Sequence, residues 1–260
     1  MLLATWNVNS VRARYDRLVA WLDAKQPDVL CLQELKCEQG ILDALSFKGY
    51  EVAAACQRTY NGVAILSKRP LLDVRMGLQD SEEEPPEQAR LVAATIDGIR
   101  ILSAYVPNGG TVGSDKFAYK LRWMDRLHRY LARHADKSQP LALCGDFNVA
   151  PEERDVHDPK AWEGEVLFHP DVRRALSDWS EWGLTDAFRI HNQEPGLYSW
   201  WDYRQLAFPK NRGLRIDHVF VTESLGSRVL SSYIDRNERK GSLPSDHAPV
   251  VVSVADEKTG

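Results

Sequence analysis

The chain has 260 residues, of which 43% are hydrophobic and 27% charged, and its formal net charge is −4. Such a chain can bury roughly 70–75% of the surface it exposes when unfolded, which excludes an intrinsically disordered or disulfide-stapled class. No apolar run approaches the ~20 residues of a membrane-spanning helix, and the acidic balance argues against a polyanionic partner only if the charge is evenly spread.

In chain order, the apolar run Leu2–Trp6 reads as a strand that turns polar at Asn7, with no basic region or cleavage site of a secretory leader. Tyr15–Lys25 follows with helical spacing, Leu18 and Leu22 on one face. Val29–Leu32, Val52–Ala55 and Val63–Leu66 are short runs bounded by turn residues, and read as strands. "SEEEPPE", Ser81–Glu87, holds four glutamates and reads as a solvated loop. Strands are expected again at Leu91–Ile96 and Ile99–Val106. The longest helix is expected over Lys116–Arg133, with Leu121, Met124, Leu127 and Leu131 as its apolar stripe. A strand at Leu141–Cys144, a helix at Val172–Trp182 and strands at Ile216–Val221 and Val250–Val254 complete the series, and residues 255–260, "ADEKTG", read as a loose tail.

Strands often follow one another directly, so a strict β-α-β alternation is absent and a doubly wound sheet or (β/α)8 barrel is disfavoured. Two packed sheets with helices outside fit better. No repeat, linker or shift in composition divides residues 1–260, so a single domain is expected. The four cysteines, Cys31, Cys37, Cys56 and Cys144, form no C-x-x-C pair; they read as free thiols of a reducing, cytoplasmic setting.

Charge is uneven along the chain. Tyr203–Arg215, "YRQLAFPKNRGLR", carries Arg204, Lys210, Arg212 and Arg215 and no acid, the local field a polyanion would meet.

The polar residues that break the strand pattern cluster at the ends of apolar runs. Asn7 and Asn9 end the first, Gln33 and Glu34 the second, Tyr105 and Asn108 end "IRILSAYVPN", and Asp146 and Asn148 end "LALCGDFN". Asp246 and His247 follow "KGSLPS", whereas Asp217 sits inside the run "LRIDHVFV". Each has an ordinary structural reading: turn formation for Asp146 and Asn148, capping for Glu34, a core aromatic for Tyr105, a surface histidine for His247. Together they are chemically coherent, because ligands gather at the carboxyl ends of strands in layered α/β folds. Carboxylates are hard ligands suited to Mg2+ or Mn2+. An Asp217–His247 pair suits an oriented, proton-carrying imidazole, and neutral amides and a phenol can hold phosphate oxygens. This set suggests hydrolysis of a phosphate ester. Neither a G-x-x-x-x-G-K-[ST] loop nor a G-x-S-x-G elbow is present.

The segments "WNVNSVRAR", "PDVLCLQELK", "NGVAILSK", "GDFNVAP", "WGLTDAFR", "YSWWDYR", "NRGLRIDHV" and "PSDHAPV" resemble, in order and over nearly the whole chain, the exonuclease III family of apurinic/apyrimidinic endonucleases, within the DNase I-like endonuclease/exonuclease/phosphatase superfamily. "GDFN" and "SDHAP" mark only the superfamily; "SWWDYR" with "NRGLRID" is more specific. The resemblance implies a four-layer α/β sandwich, two central mixed sheets face to face and flanked by helices, with a Mg2+ site (Mn2+ as substitute) at one edge. It implies metal binding at Glu34 with Asn7 and Asp246 beside it, and with Asp146, Asn148 and His247 contributing. It implies catalysis by Tyr105, Asp146, Asn148, Asp217 and His247, with Asp217 orienting His247. Asn108, Trp200, Arg204, Lys210, Arg212, Leu214 and Ile216 would contact substrate, with Trp200, Leu214 and Ile216 as walls of a small pocket for a flipped abasic sugar. The partner implied is double-stranded DNA with abasic sites or 3′ ends, met by a cytoplasmic monomer of bacterial type working at the nucleoid, with no membrane role. Departures lie in the loops "VPNGGTVGSDK" and "PEERDVHDPKAWEGEVLFHP", which select the lesion.

Two other classes use related signals. An inositol-phosphate or sphingomyelin phosphodiesterase of the same fold shares the "GD.N" and "SDH" features but has no need of the aromatic and basic segment at 198–215, which suits base stacking and phosphate contact. A non-catalytic, RNA-regulatory relative would have lost site residues, and here every one is present.

Overall fold

In a computed structural model, which describes residues 1–80 and 88–256, the apolar runs become strands that are buried on both sides. The strands are β1 (Leu2–Asn7), β2 (Val29–Gln33), β3 (Glu51–Ala55), β4 (Val63–Ser67), β5 (Leu72–Met76), β6 (Leu91–Ile96), β7 (Ile99–Tyr105), β8 (Leu141–Asp146), β9 (Leu184–Asp186), β10 (Asp217–Thr222), β11 (Val229–Ile234) and β12 (Val250–Val254). The helices are α1 (Tyr15–Lys25), α2 (Gln39–Asp43), α3 (Asp115–His134), α4 (Pro159–Trp162), α5 (Pro170–Trp182), α6 (Ala187–His191) and α7 (Glu223–Gly226).

Two six-stranded sheets form, in the orders β11-β12-β1-β2-β4-β3 and β5-β6-β7-β8-β10-β9. Both are mixed: β1 pairs with β2, and β7 with β8, in parallel, while the other pairs are antiparallel. Side chains alternate across each strand. Leu3, Val29, Cys31 and Ile65 of the first sheet meet Val92, Ile101, Ala142, Cys144 and Val219 of the second in one core between the sheets. The opposite faces are covered by helices: Ala4, Leu30 and Leu66 pack with Leu18, Trp21 and Leu22 of α1, and Leu102 and Leu143 pack with Met124 and Leu127 of α3 and Trp179 of α5. This is the expected four-layer sandwich. Burial on both faces makes the central strands read as continuous apolar runs.

Three strands escaped the apolar signal. β5 is mostly exposed, β9 has only three residues, and β11 carries two serines; β5, β9 and β11 all lie at sheet edges. The expected loop at 81–87 and the last four residues of the expected tail lie outside the described residues.

Strand direction assembles the site edge. The parallel strands β1 and β2 end together at Asn7 and Gln33, and β7 and β8 at Tyr105 and Asp146. Because β10 runs antiparallel to β8, its first residue pairs with β8's last, Asp217 opposite Asp146. Asp217 therefore starts its strand instead of interrupting one, which corrects the mid-strand reading. Gly145 makes the close approach possible: a Cβ there would meet the Ala104 carbonyl oxygen at 1.9 Å.

A buried ionic cluster fixes the loop after β8. The Asp155 carboxylate, fully buried, accepts from Arg215 Nε at 2.7 Å and from Arg189 Nη2, and Arg215 also pairs with Asp186 at 2.7 Å. Arg215 Nη1 donates to His218 Nδ1, leaving His218 Nε2 to donate to the Val149 carbonyl at 2.9 Å. Burial, reinforced by Arg215, lowers His218 to about 4, which suits its neutral role. Asp155→Asn should destabilise the protein by about 3–5 kcal/mol, because it leaves buried guanidinium charge uncompensated. Urea unfolding measures this, and a loss below about 1 kcal/mol, the level of an exposed pair, would show that the cluster is dispensable.

Candidate active site

The strand ends deliver their polar side chains into one place. Asn7, fully buried at the end of β1, bridges two carboxylates with its amide: Nδ2 donates to Glu34 Oε1 and to Asp146 Oδ2, each at 2.9 Å. Glu34 lies one residue beyond β2 with φ of 53°, a left-handed conformation rare outside glycine. Its other oxygen is 2.6 Å from Lys36 Nζ, and the Tyr105 hydroxyl donates to Oε1 at 3.0 Å. Burial works against the Glu34 charge, but Lys36 and Asn7 outweigh it and its pKa is lowered. Glu34 stays an anion.

Asp146 is the opposite case. Burial is the main influence, Asp217 and Glu34 add to it, His247 opposes it, and the carboxyl is raised to about 7. Its Oδ1 accepts from the backbone N–H of Asn148 at 2.9 Å. Asn148, also left-handed with φ of 51°, donates from Nδ2 to the Val106 carbonyl and accepts on Oδ1 from Asn108 Nδ2 at 3.1 Å. The Tyr105 phenol is pushed well above its usual value by burial and by Glu34, so it remains protonated.

Across the site, His247 Nδ1 lies 2.9 Å from Asp217 Oδ2. Ser199 orients that carboxylate: its hydroxyl donates to Asp217 Oδ2 at 2.6 Å and accepts from the backbone N–H groups of Ile216 and Asp217. The geometry leaves His247 Nε2 facing Asp146 Oδ2 at 3.8 Å. Burial pulls the ring down, yet Asp217 and then Asp146 more than offset it, and His247 rises to about 10. Ligand atoms of Glu34, Asp146 and His247 lie within 4.8 Å of one another, the one such metal-sized group among the described residues.

The other expected residues divide. Asp246 stands outside that group; its carboxylate accepts from Asn9 Nδ2 at 2.9 Å and Trp200 Nε1 at 3.0 Å. Gln33 is a buried tie between the sheets, donating to Thr5 and Ser103 hydroxyls. Leu214 and Ile216 are sealed, at 0% and 1% exposure, in a cluster with Ala150, Val156, Leu167 and Phe168, so they do not wall an open pocket here. The concavity beside Trp200, about 590 Å3, is lined instead by His157, Trp162, Arg204 and Arg212 among others. Arg204 is exposed and held by Asp202, and Lys210 and Arg212 are exposed. Arg215 is corrected: its charge is consumed by Asp155 and Asp186 in the interior, so it does not reach a surface ligand.

Sequence reasoning missed Lys36, Ser199 and Lys120. Lys36 and Ser199 sit inside segments that were singled out, "QELK" and "YSWW", but nothing in their spacing marks them. Lys120 lies on α3, fully buried, with Nζ donating to the carbonyls of Asn108, Asn148 and Val166.

Comparison with known proteins places these features. Residues 4–247 match the Endonuclease/Exonuclease/phosphatase family. The chain is 33% identical over 255 residues to an exodeoxyribonuclease of Bacillus subtilis (strain 168), covering 96% of this chain and 98% of that one. It superimposes on an AP endonuclease from Archaeoglobus fulgidus with a TM-score of 0.91 and 38% identity, covering 98% and 99% of the two chains. It also matches a 3′ phosphatase from Neisseria bound to a product DNA hairpin, with a TM-score of 0.92, 36% identity and the same coverage.

Proposed function

The chain belongs to the exonuclease III branch of the Endonuclease/Exonuclease/phosphatase family, and from that premise we propose that it hydrolyses phosphodiester bonds of duplex DNA at abasic sites and 3′ ends with Mg2+ held at Glu34 and Asp146. It is a nuclease of DNA repair. The observation that carries the reading is the Asn7 amide joining Glu34 and Asp146 directly opposite the Asp217–His247 pair.

The donor set fits the metal. Glu34 is an anion with hard oxygens, Asp146 lies beside it, and a cation between them would offset both the burial and the Glu34 charge that raise Asp146. When bound, magnesium supplies Lewis-acid charge at the scissile phosphate. His247 suits proton handling better than ligation: its ring holds a proton on the strength of Asp217, and a protonated imidazole has no lone pair to offer a metal. Nε2–H faces Asp146 across the site at 3.8 Å, where it can donate to a phosphate oxygen bound between them, while Asp146, lying beside the metal, can accept a proton from an attacking water. Asn148 and Asn108, joined to each other, and the protonated Tyr105 present neutral groups to phosphate oxygens without competing for the metal. Arg204, Lys210 and Arg212 give the flanking loop its positive field toward the duplex, although the chain is acidic as a whole.

The test is cleavage of a synthetic duplex with one abasic site, run beside a 3′-recessed intact duplex and a soluble phosphodiester lacking bases, all with Mg2+. Cleavage of the DNA substrates at least ~10³-fold faster than the baseless diester is expected, the scale that a DNA-fitted site adds to shared chemistry. Equal turnover of all three would replace the DNA reading with a general phosphodiesterase.

A further inference from the structure

Lys120 is a fully buried lysine, and the mechanism above makes no use of it. Its ammonium forms no ion pair with a carboxylate among the described residues. It donates instead to three backbone carbonyls, Asn148 at 2.6 Å, Val166 at 3.0 Å and Asn108 at 3.1 Å. An ammonium has three N–H donors and a neutral amine only two, so three carbonyl acceptors match the charged form. Burial pulls Lys120 down to about 7 and the Asp146 charge opposes it; with no carboxylate in contact, the three carbonyls are what hold the ammonium form, and two of the three belong to the phosphate-facing pair Asn108 and Asn148.

Those two residues come from different elements. Asn108 lies in the loop between β7 and α3, and Asn148 two residues past β8. Their side chains bond each other at 3.1 Å, and Asn148 is held in a left-handed conformation. The glycine next to Asn108 belongs to the same arrangement: Gly109 has φ of 94°, and a Cβ there would stand 2.9 Å from Lys120 Cδ and from Val166 Cγ2. The loop is thus moulded around the lysine stem.

We propose that Lys120 is a positioning residue for phosphodiester cleavage: from beneath the site, its ammonium sets the spacing of Asn108 and Asn148 and supplies buried positive charge under the phosphate they hold. The inference rests on the assignment of Asn108 and Asn148 to the phosphate. It makes Lys120 act through Asn148, and it places the effect in the transition state, where phosphate charge grows.

Lys120→Met, Lys120→Gln and Lys120→Arg are compared with wild type on the abasic duplex, alone and with Asn148→Ala, below the unfolding temperature of each variant. Lys120→Met should lower kcat by about 10²-fold with KM changed by less than about threefold, the signature of a lost transition-state contact. Lys120→Arg, which keeps charge and donors, should recover at least about tenfold of that loss. Lys120→Gln keeps two donors without the charge and carries the comparison if the Met variant does not fold. In the Asn148→Ala background, Lys120→Met should add little, because the residue it positions is gone. If kcat is unchanged while only the unfolding temperature falls, or if the two losses multiply, Lys120 is a structural element and the proposal fails. An inactive wild type overturns the phosphodiesterase reading itself, a result distinct from either.

Discussion

Glu34→Ala should lower cleavage of the abasic duplex by ~10³-fold or more while the protein stays folded, since several kcal/mol of charge stabilisation are lost and each 1.36 kcal/mol is tenfold in rate. The side chain stands at a strand end with 16% exposure, and its ion-pair partner Lys36 is 29% exposed, so little of the core depends on it. The backbone already carries a left-handed φ of 53°, which alanine adopts at a cost similar to glutamate's. Removing the carboxylate leaves Asn7 donating to Asp146 alone and takes away one of the groups that raise Asp146. The variant therefore loses an oxygen ligand and detunes the remaining acid together. Circular dichroism and thermal melts should match wild type. A chelator added to wild type should reproduce the loss, and excess Mg2+ should reverse it. Full activity in chelator, or a Glu34→Ala rate within tenfold of wild type, would remove the metal from the site.

Asp217→Asn and His247→Asn should each lower kcat by ~10²–10⁴, the range for a positioned acid–base group. In wild type the buried Asp217 carboxylate is what lifts His247 to about 10 against its own desolvation. A raised histidine is charged below that value and loses its proton as pH rises through it. Function that needs the proton is thus present at neutral pH and lost on the alkaline side. With asparagine at 217 the largest counter-charge is gone, only Asp146 and Asp246 remain against burial, and the alkaline loss should move to lower pH. Ser199 donates to Asp217 Oδ2 at 2.6 Å, so asparagine must also turn its oxygen to that hydroxyl and offer an N–H toward His247, reversing the hydrogen bond that orients the ring. The two residues act as one unit, and the double variant should be no slower than about tenfold below the worse single. A double loss equal to the product of the singles would show that they serve separate steps.

Much of this was legible in the chain itself. Runs such as Leu2–Trp6 and Leu141–Cys144 are dominated by apolar residues because both faces of their strands are covered, one by the opposite sheet and one by helices. Chemistry collects at their ends because a strand cannot carry unpaired carboxylates through such a core, which is why Asn7, Glu34, Tyr105 and Asp146 stood out. Amphipathic spacing located α1 exactly where its apolar face meets the first sheet, at Tyr15–Lys25. Edge strands other than β3 were not legible, since β5 and β11 bury too little to need a pattern. The fate of a charge was not legible either. Arg212 and Arg215 are three positions apart in one basic segment, yet Arg212 is exposed and Arg215 is locked to Asp155, 60 residues away in the chain. Lys120 would pass for a solvated helix residue until three carbonyls from three loops converge on it. Asp217 enters the site because β10 runs antiparallel beside β8. Local sequence determined which residues had to be buried and where strands had to stop; only tertiary structure decided the partners of the buried charges, because electrostatic compensation in a low-dielectric interior depends on distance in space and not along the chain.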